Sequence, residues 1–392
     1  MLIGIVGLPN AGKSTFFKAC TLSDVLIASY PFATIKPNHG IAYVKIDCIE
    51  KEFNVKCNPQ RGYCINGKRF VPVELIDVAG LVEGASEGKG LGNQFLDDLT
   101  SADALIHVVD MSGETDKDGR ETKGYNPVKD IEILEKELDL WYFGILKKVW
   151  RTFSRTVQNT KEEISKAVAR QFSGLKVKED DIKRVLLTLK YNEEKPADWS
   201  EEQLLFFANK LRHISKPMII AANKMDKKDA KKNLELLRKA YPDVRIIPCS
   251  ADYELTLREA HNKEFISYLP GESNFEILKE LTDKQKNALE NIKDFLKEHN
   301  TGVQDVLNTL VFDVLEYLAV FPASANKLVD SKGNLLPDCF LLKKGSTALD
   351  FAFTIHSDLG ENFIKAIDAR TKKALGKEYK LKNRDALEIV IR

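Results

Sequence analysis

The segment GLPNAGKS, residues 7–14, has the residue types and spacing of a loop that binds nucleotide phosphates. Gly7 and Gly12 allow the backbone to wrap around phosphate oxygens, with amide N–H groups pointing inward. Lys13 is placed to neutralise the β- and γ-phosphates, and Ser14 is placed to ligate Mg²⁺. An apolar, β-branched run precedes the motif and a helical pattern follows it, which is the context that the motif requires. The predicted phosphate-binding residues are Gly7, Leu8, Pro9, Asn10, Ala11, Gly12, Lys13, Ser14 and Thr15.

A second set of residues is predicted to sense the γ-phosphate. Asp77 ends the apolar run PVELID and is placed to hold Mg²⁺ through water, while the Gly80 N–H can meet the γ-phosphate. Thr34 in SYPFATIKPNHG is expected to reach Mg²⁺ in the triphosphate state; a plain turn threonine is the alternative. Leu81 stands where many GTPases have the glutamine that orients the attacking water. The chain therefore either does not hydrolyse nucleotide or does so with other groups.

The segment AANKMDK predicts recognition of guanine. The Asp226 carboxylate can accept hydrogen bonds from N1–H and from the exocyclic amine of guanine, and adenine has neither donor at that edge. The Lys224 stem is expected to cover one face of the base, and Asn223 is expected to tie this loop to the phosphate-binding loop. In the segment CSA, Ser250 and Ala251 are expected to place a backbone N–H on the guanine oxygen.

Short buried runs predict the strands that must position these residues: LIGIVGL, PVELIDVAG, ALIHVVDM, KPMIIAANK and DVRIIPCSA. Because helical patterns separate them, the expected fold class is α/β, a doubly wound and mostly parallel sheet of the P-loop NTPase type. Residues 1–128 and 216–316 are predicted to form the nucleotide-binding domain with trailing helices. The long interval over residues 129–215 has helical periodicity and predicts a coiled-coil-like helical insertion. Residues 317–392 are predicted to be a small α+β domain.

Charge is uneven along the chain although the net charge is +1. Residues 145–190 carry twelve Lys or Arg against five acidic residues, and residues 325–392 carry thirteen against nine. This asymmetry suggests an anionic partner for the basic parts, with a solvated helical face as the alternative. No apolar run is long enough to span a membrane, and MLIGIVGLPN has no basic region typical of a secretory signal. The expected location is the cytoplasm.

Local patterns predict the state of the cysteines and the structure of two further segments. Six cysteines in a chain of 392 residues do not make a disulfide scaffold. Cys57 and Cys64 match no usual zinc spacing, so we expect an ordinary loop with two thiols, a local disulfide being the alternative. Residues 50–70 are predicted to contain a hairpin with undefined contacts. A helix is predicted over residues 347–360, and ALEIVI is predicted to be a terminal strand.

The motifs GLPNAGKSTFF, YPFATIKPNHG, DVAGLVEGASEGKGLGNQFL and NKMD together resemble the Obg family of P-loop GTPases. LPDCFLLKKGSTALDFAFTIHSDLGENFIKAIDARTKK resembles a TGS domain, a β-grasp-like unit, and makes the YchF-like branch the nearest match. The likeness extends over essentially the whole chain. Some members of this branch prefer ATP and depart from the Asn-Lys-x-Asp motif. This sequence keeps Lys224 and Asp226, so guanine is the predicted base.

The resemblance also implies how hydrolysis proceeds with Leu81. In Obg-like GTPases a hydrophobic residue replaces the glutamine, and several related GTPases ligate K⁺ with a phosphate-loop asparagine. A K⁺ held partly by Asn10 is therefore proposed to stabilise the transition state alongside Lys13, Thr34 and Gly80. A simple loop-capping role for Asn10 is the alternative. Turnover is expected to be slow in either case.

The resulting functional prediction is a GTP/GDP-binding switch with slow Mg²⁺-dependent hydrolysis. Similar proteins associate with ribosomes, so a ribosome or RNA partner is expected at the basic insertion and the TGS unit, without DNA specificity and without a membrane. Two alternatives are an ATPase of the same architecture and an interaction scaffold in which the nucleotide is structural. A TGS unit that senses a small molecule is a further alternative without a supporting motif.

Overall fold

The central element is a seven-stranded, mostly parallel sheet, seen in a computed structural model that describes residues 1–22, 38–78, 99–324, 328–329, 333–336 and 338–392. Its strands are β1 (Leu2–Val6), β2 (His39–Asp47), β3 (Tyr63–Ile65), β4 (Lys68–Asp77), β5 (Ala104–Asp110), β6 (Met218–Asn223) and β7 (Ile246–Pro248). The strand order is β2-β4-β1-β5-β6-β7, with β3 paired to β4. Only β2 and β3 are antiparallel to β4. The predicted α/β fold class is confirmed.

Helices cover both faces of this sheet. Alternate residues of β1 point to opposite sides: Ile3 and Ile5 pack with Phe16, whereas Val6 packs with Leu134 and Leu138. The helices of the nucleotide-binding part are α1 (Lys13–Thr21), and then, beyond the insertion, α6 (Ala230–Ala240), α7 (Ala251–Asn262), α8 (Asp283–Leu296) and α9 (Val303–Asn308). A short antiparallel pair, β8 (Ile266–Tyr268) and β9 (Phe275–Ile277), lies between α7 and α8. Every residue of β5 is buried because both faces are covered.

The interval between β5 and β6 contains four helices. They are α2 (Val128–Thr160), α3 (Ile164–Gln171), α4 (Glu179–Leu189) and α5 (Glu201–Ser215). An aromatic cluster joins α2 to α5, with the Trp150 and Trp199 ring centroids 5.3 Å apart and Trp199 and Phe207 also 5.3 Å apart. None of the helices in the described residues is both long enough and apolar enough to cross a membrane.

The C-terminal part forms a second sheet of five strands in the order β11-β10-β14-β12-β13. These strands are β10 (Tyr317–Pro322), β11 (Phe340–Lys343), β12 (Phe363–Asp368), β13 (Ala374–Leu375) and β14 (Ala386–Ile391). Helix α10 (Ala348–Ile355) packs on this sheet through the buried side chains of Ala348 and Phe351, and α11 (Ser357–Glu361) follows it. The predicted terminal strand ALEIVI is β14. The division of the chain into three domains stays a prediction.

The structure corrects one predicted helix and confirms one hairpin. The helix expected over residues 347–360 is interrupted at His356, which is extended and whose Nδ1 accepts a hydrogen bond from the Asp358 N–H at 3.2 Å. The side chain of His356 thus caps a new helix instead of continuing the first. Within residues 50–70, β3 and β4 form the expected hairpin. Asn66 and Gly67 make its turn, both with positive φ, as a two-residue hairpin loop requires.

Candidate nucleotide-binding site

Two glycines shape the phosphate-binding loop between β1 and α1. Gly7 has φ +151°, and a Cβ added there would lie 2.4 Å from the Val108 carbonyl oxygen. Gly12 has φ +95°, and a Cβ added there would lie 2.4 Å from Nδ2 of Asn223. Neither position has room for a side chain, so both require glycine. Leu8 and Ala11 are buried and Pro9 is half-buried, whereas Asn10 and Ser14 are exposed.

Lys13 is the first residue of α1, and its side chain lies over the loop. Its Nζ donates a hydrogen bond to the Leu8 carbonyl oxygen at 2.9 Å, and the residue is only 9% exposed. Burial lowers the pKa of Lys13, and the charge of Asp77 opposes this shift. Helix α1 has no acidic residue in its first turn, which Ser14 and Thr15 complete. The helix N-terminus and the ammonium group therefore present positive potential to an anion.

Ser14 and Asp77 meet at the end of β4, as the sequence predicts for a Mg²⁺ site. The Ser14 hydroxyl donates to Oδ2 of Asp77 at 3.0 Å. A Mg²⁺ ion there would take the Ser14 hydroxyl oxygen as a ligand and be held by Asp77 through one of its waters, since Mg²⁺ usually keeps several waters. Burial raises the pKa of Asp77, while the Ser14 hydrogen bond and the Lys13 charge lower it. A divalent cation here would hold Asp77 in its ionised form.

Asn223, the last residue of β6, connects three separate segments of the chain. Its Nδ2 donates to the carbonyl oxygen of Ala11 in the phosphate-binding loop at 3.0 Å, and its Oδ1 accepts from the Ala251 N–H at 3.0 Å. Asp226 lies in the turn that follows β6 and accepts a hydrogen bond from the Ser250 hydroxyl at 2.7 Å. The predicted phosphate-binding and base-binding residues thus form one cluster, although their roles toward a nucleotide stay predictions.

Lys224 is fixed by Asp110, a residue that the sequence analysis missed. Lys224 has φ +64°, and its Nζ lies 2.7 Å from Oδ2 of Asp110. Asp110 ends β5, is 3% exposed, and also accepts from the Ser112 and Thr115 hydroxyls, each at 2.6 Å. Burial raises the pKa of Asp110, but the hydrogen bonds from Lys224, Ser112 and Thr115 outweigh it and lower the pKa. In the sequence, Asp110 could have been noticed only as an acidic residue at the end of the strand that pairs with β1.

Asn10 is exposed and adopts the left-handed conformation, with φ +60°. Its Nδ2 donates to the Gly119 carbonyl oxygen at 2.7 Å and so ties the phosphate-binding loop to the segment after β5. This contact orients the amide of Asn10, and its proposed role as a K⁺ ligand stays a prediction. Thr34, Gly80 and Leu81 lie outside the described residues, and their roles also stay predictions.

His107 contributes no charge near Lys13. It lies in β5 opposite Val6 of β1 and is fully buried, and neither ring nitrogen has a hydrogen-bond partner within the described part of the chain. Burial first, and the charge of Lys13 second, lower the pKa of His107 to about 3. The imidazole is therefore neutral at ordinary pH, so His107 adds no positive charge next to Lys13.

Three protein-family models match the chain in succession. A 50S ribosome-binding GTPase model matches residues 2–140, an Obg-like GTPase model (YGR210-like, G4 motif-containing domain) matches residues 221–324, and a TGS domain model matches residues 327–391. An uncharacterized GTP-binding protein of Methanocaldococcus jannaschii is 50% identical over 99% of this chain and 98% of its own length. The chain belongs to the Obg-like family of P-loop GTPases. Within that family it falls in the YchF-like branch with a C-terminal TGS domain.

Other members of this Obg-like family agree in fold but differ in the nucleotide that their names give. The solved GTP-binding protein of Pyrococcus horikoshii superimposes with a TM-score of 0.81 and 39% identity, and the match covers 100% of both chains. A relative in Buchnera aphidicola, named ribosome-binding ATPase YchF, is 31% identical over 93% of this chain and 86% of its own. The present chain is a GTP-binding protein of the family.

Proposed function

We propose that this Obg-like protein prefers GTP to ATP, hydrolyses it slowly with Mg²⁺, and acts as a nucleotide switch. The position of Asp226 carries the proposal. The side chain of Asp226 is 7% exposed, its Oδ1 is held by Ser250, and Asn223 fixes the base loop to the phosphate-binding loop. A guanine placed there offers the carboxylate two N–H donors, whereas adenine offers neither and leaves it only the Ser250 hydroxyl and Lys227, whose Nζ lies 3.5 Å from Oδ2. The ATPase names of some relatives supply the competing hypothesis.

The second part of the proposal concerns how hydrolysis proceeds with Leu81 in place of glutamine. Phosphoryl transfer depends mainly on positioning and charge neutralisation, so a monovalent cation can supply part of what a glutamine or arginine supplies elsewhere. Asn10 is placed at the exposed edge of the loop with its Nδ2 bonded to Gly119, so its Oδ1 is the atom that a K⁺ ion would use. Mg²⁺, bound through Ser14 and Asp77, would neutralise the phosphate charge when present.

Single-turnover phosphate release from GTP and ATP, each in KCl and in NaCl, tests the proposal. We expect faster release from GTP than from ATP, and faster release in KCl than in NaCl. Asn10→Ala should lose the K⁺ effect, because it removes the side-chain oxygen that would ligate the ion. Faster cleavage of ATP would overturn the choice of base. Retention of bound GTP without phosphate release would favour the structural-nucleotide scaffold, and a K⁺ effect that survives in Asn10→Ala would remove Asn10 as the ligand.

A ribosomal or RNA partner is the third part of the proposal, and the insertion supplies the surface. Lys148, Arg151 and Arg155 are exposed and follow one face of α2 at helical spacing. Among the described residues, none of the three forms an ion pair, unlike Lys147, which pairs with Glu201. A stripe of unpaired cations suits the phosphate backbone of RNA. The Buchnera relative is named a ribosome-binding ATPase, which agrees with this partner.

Cosedimentation with ribosomes at several salt concentrations tests this surface. Charge reversal of Lys148, Arg151 and Arg155 to Glu should weaken binding and lower its salt slope by about 1 for each lost phosphate contact. The matched control reverses the same number of exposed lysines on α8, namely Lys284, Lys286 and Lys293. Equal loss in both triple variants would mean that net charge alone matters, and no loss in either would exclude the α2 stripe as the contact surface.

A further inference from the structure

Three cysteines and one glutamate converge beside the β3–β4 hairpin, at the opposite end of β4 from Asp77. Cys48 follows β2, Glu50 lies in a single 3-10 turn (Ile49–Lys51), Cys57 lies in the next loop, and Cys64 lies in β3. Their Sγ and carboxylate oxygen atoms all lie within 4.8 Å of one another. Cys48 and Cys57 are buried, whereas Glu50 and Cys64 are half-buried and so are partly exposed to solvent.

Two distances in this cluster match the edges of a zinc coordination tetrahedron. With Zn–S bonds of about 2.3 Å and a Zn–O bond of about 2.0 Å, a regular tetrahedron has S···S edges of about 3.8 Å and S···O edges of about 3.5 Å. Sγ of Cys48 and Sγ of Cys57 are 3.8 Å apart, and Sγ of Cys64 is 3.5 Å from Oε1 of Glu50. Hence two opposite edges of the set have the lengths that one tetrahedral ion requires.

The cluster also has a buried cation beside it. Arg69, which pairs with Cys64 in the β3–β4 register, is fully buried, and its Nε and Nη1 have no hydrogen-bond partner in the part of the chain that the structure describes. Its Nη2 lies 3.9 Å from Sγ of Cys48 and donates to the Leu336 carbonyl oxygen at 2.7 Å. A buried guanidinium needs a nearby negative charge. Three thiolates and a carboxylate around a divalent ion carry a net charge of about −2, which supplies it.

Backbone groups hold the ligands in place before any ion binds. The second carboxylate oxygen of Glu50, Oε2, accepts from the Cys57 N–H at 2.9 Å, which turns Oε1 toward Cys64. The Cys48 N–H donates to the Gly67 carbonyl oxygen at 2.8 Å, which ties the end of β2 to the hairpin turn. Such outer contacts orient the ligands in metal sites.

We propose that Cys48, Cys57, Cys64 and Glu50 bind one Zn²⁺ ion as a structural site. The spacing of Cys57 and Cys64 alone did not indicate this site, because the other two ligands, Cys48 and Glu50, come earlier in the chain. The end of β2 and the 3-10 turn bring them to the site. Cys57 and Cys64 are both free thiols, as expected, and the proposal gives them a shared ligand. Since all four coordination positions come from the protein, the ion would be closed to substrate and would not do catalysis.

The position of the site indicates what the ion would stabilise. The loop between Cys48 and Cys64 contacts the TGS domain: Glu52 forms ion pairs with Arg370 and Arg384, and the Asn58 N–H donates to the Leu335 carbonyl oxygen at 2.8 Å. A metal ion that fixes both ends and the middle of this loop would hold the TGS contact surface of the nucleotide-binding domain in one shape.

Metal analysis of the full-length protein tests the proposal without any substitution. Protein produced with Zn²⁺ in the medium and purified without chelator should contain one zinc per chain by plasma mass spectrometry. X-ray absorption should show three sulfur neighbours at about 2.3 Å and one lighter neighbour at about 2.0 Å. Protein without zinc, zinc with only light-atom neighbours, or a disulfide between any of these cysteines in a non-reduced peptide map would each overturn it.

Substitutions then test the ligand set. Cys57→Ser and Cys64→Ser should abolish stoichiometric zinc, and Glu50→Gln should lower zinc affinity at least about 10-fold. Cys20→Ser is the control, because Cys20 is a buried free cysteine that lies in α1 outside the cluster. If the cysteine variants fail to fold, wild-type protein that has been stripped of metal with a chelator and loaded with Co²⁺ provides the test. Intense tetrahedral d–d bands and sulfur-to-cobalt charge-transfer absorption would support the site. A weak octahedral spectrum would overturn it. Four sulfur neighbours in Glu50→Gln at full occupancy would overturn the assignment of Glu50.

Discussion

Replacing Asp226 with Asn is expected to weaken GTP binding by about 10³-fold, because two hydrogen bonds to a charged acceptor are worth about 1.5–3 kcal/mol each. The amide of Asn can still accept from guanine N1–H, but its NH₂ group faces the exocyclic amine, donor against donor. The same substitution should create binding of xanthosine triphosphate, whose carbonyl at that position accepts from the amide. The fold should be preserved, since Asn Oδ1 can keep the hydrogen bond from the Ser250 hydroxyl. Equilibrium titration with fluorescent GTP and xanthosine triphosphate analogues measures both affinities.

Asp229→Asn is the control for this experiment. Asp229 lies three residues further along, is exposed, and makes no side-chain cap for α6, so the same loss of charge should leave GTP affinity unchanged. Equal weakening in both variants would mean that the charge of the loop, and not base recognition, sets affinity. Unchanged GTP affinity in Asp226→Asn would show that Asp226 does not recognise the guanine base. That result would favour the alternative that the protein is an ATPase.

Replacing Lys13 with Met is expected to lower single-turnover GTP cleavage by about 10³-fold, because charge stabilisation of the transferring phosphoryl group by a preorganised donor is lost. Met keeps most of the apolar stem, so packing over the loop is retained. Burial lowers the pKa of Lys13, which means that the charged form of its ammonium group is less stable in the folded protein than in the unfolded chain. We therefore expect the free energy of unfolding to stay the same or to rise while cleavage is lost. Phosphate release and chemical denaturation on the same sample separate the two effects.

Lys18→Met is the matched control on the same helix. Lys18 is exposed in the last turn of α1, so its replacement should change neither cleavage nor stability beyond the small range typical of surface substitutions. A Lys13→Met protein that cleaves GTP at the wild-type rate would overturn the role of Lys13. A Lys13→Met protein that loses both cleavage and stability would show that the Nζ bond to the Leu8 carbonyl oxygen, seen at 2.9 Å, is structural.

Local sequence was sufficient for the sheet and for most of the nucleotide site. The loop over residues 7–14 needs glycines where the backbone passes close to Val108 and Asn223, and those glycines are visible as a motif. Asn223, Asp226 and Asp77 each end or directly follow a buried strand. Because the carboxyl ends of parallel strands meet at one edge of the sheet, strand ends that are distant in the chain converge there. Spacing and periodicity therefore predicted which residues meet, as the Asn223 bonds to Ala11 and Ala251 illustrate.

By itself, the sequence determined the P-loop α/β fold, the order of its motifs and the terminal strand β14, since short-range patterns encode these features. Only the tertiary structure decided the rest. Asp110 carries no motif, and it matters because β5 delivers it to Lys224. The interruption at His356 arises from its own side chain capping the next helix. Cys48 and Glu50 join Cys57 and Cys64 only after a 3-10 turn and a hairpin fold back on β2. These features depend on contacts between segments that are distant in the chain, and local sequence patterns do not show which distant segments meet.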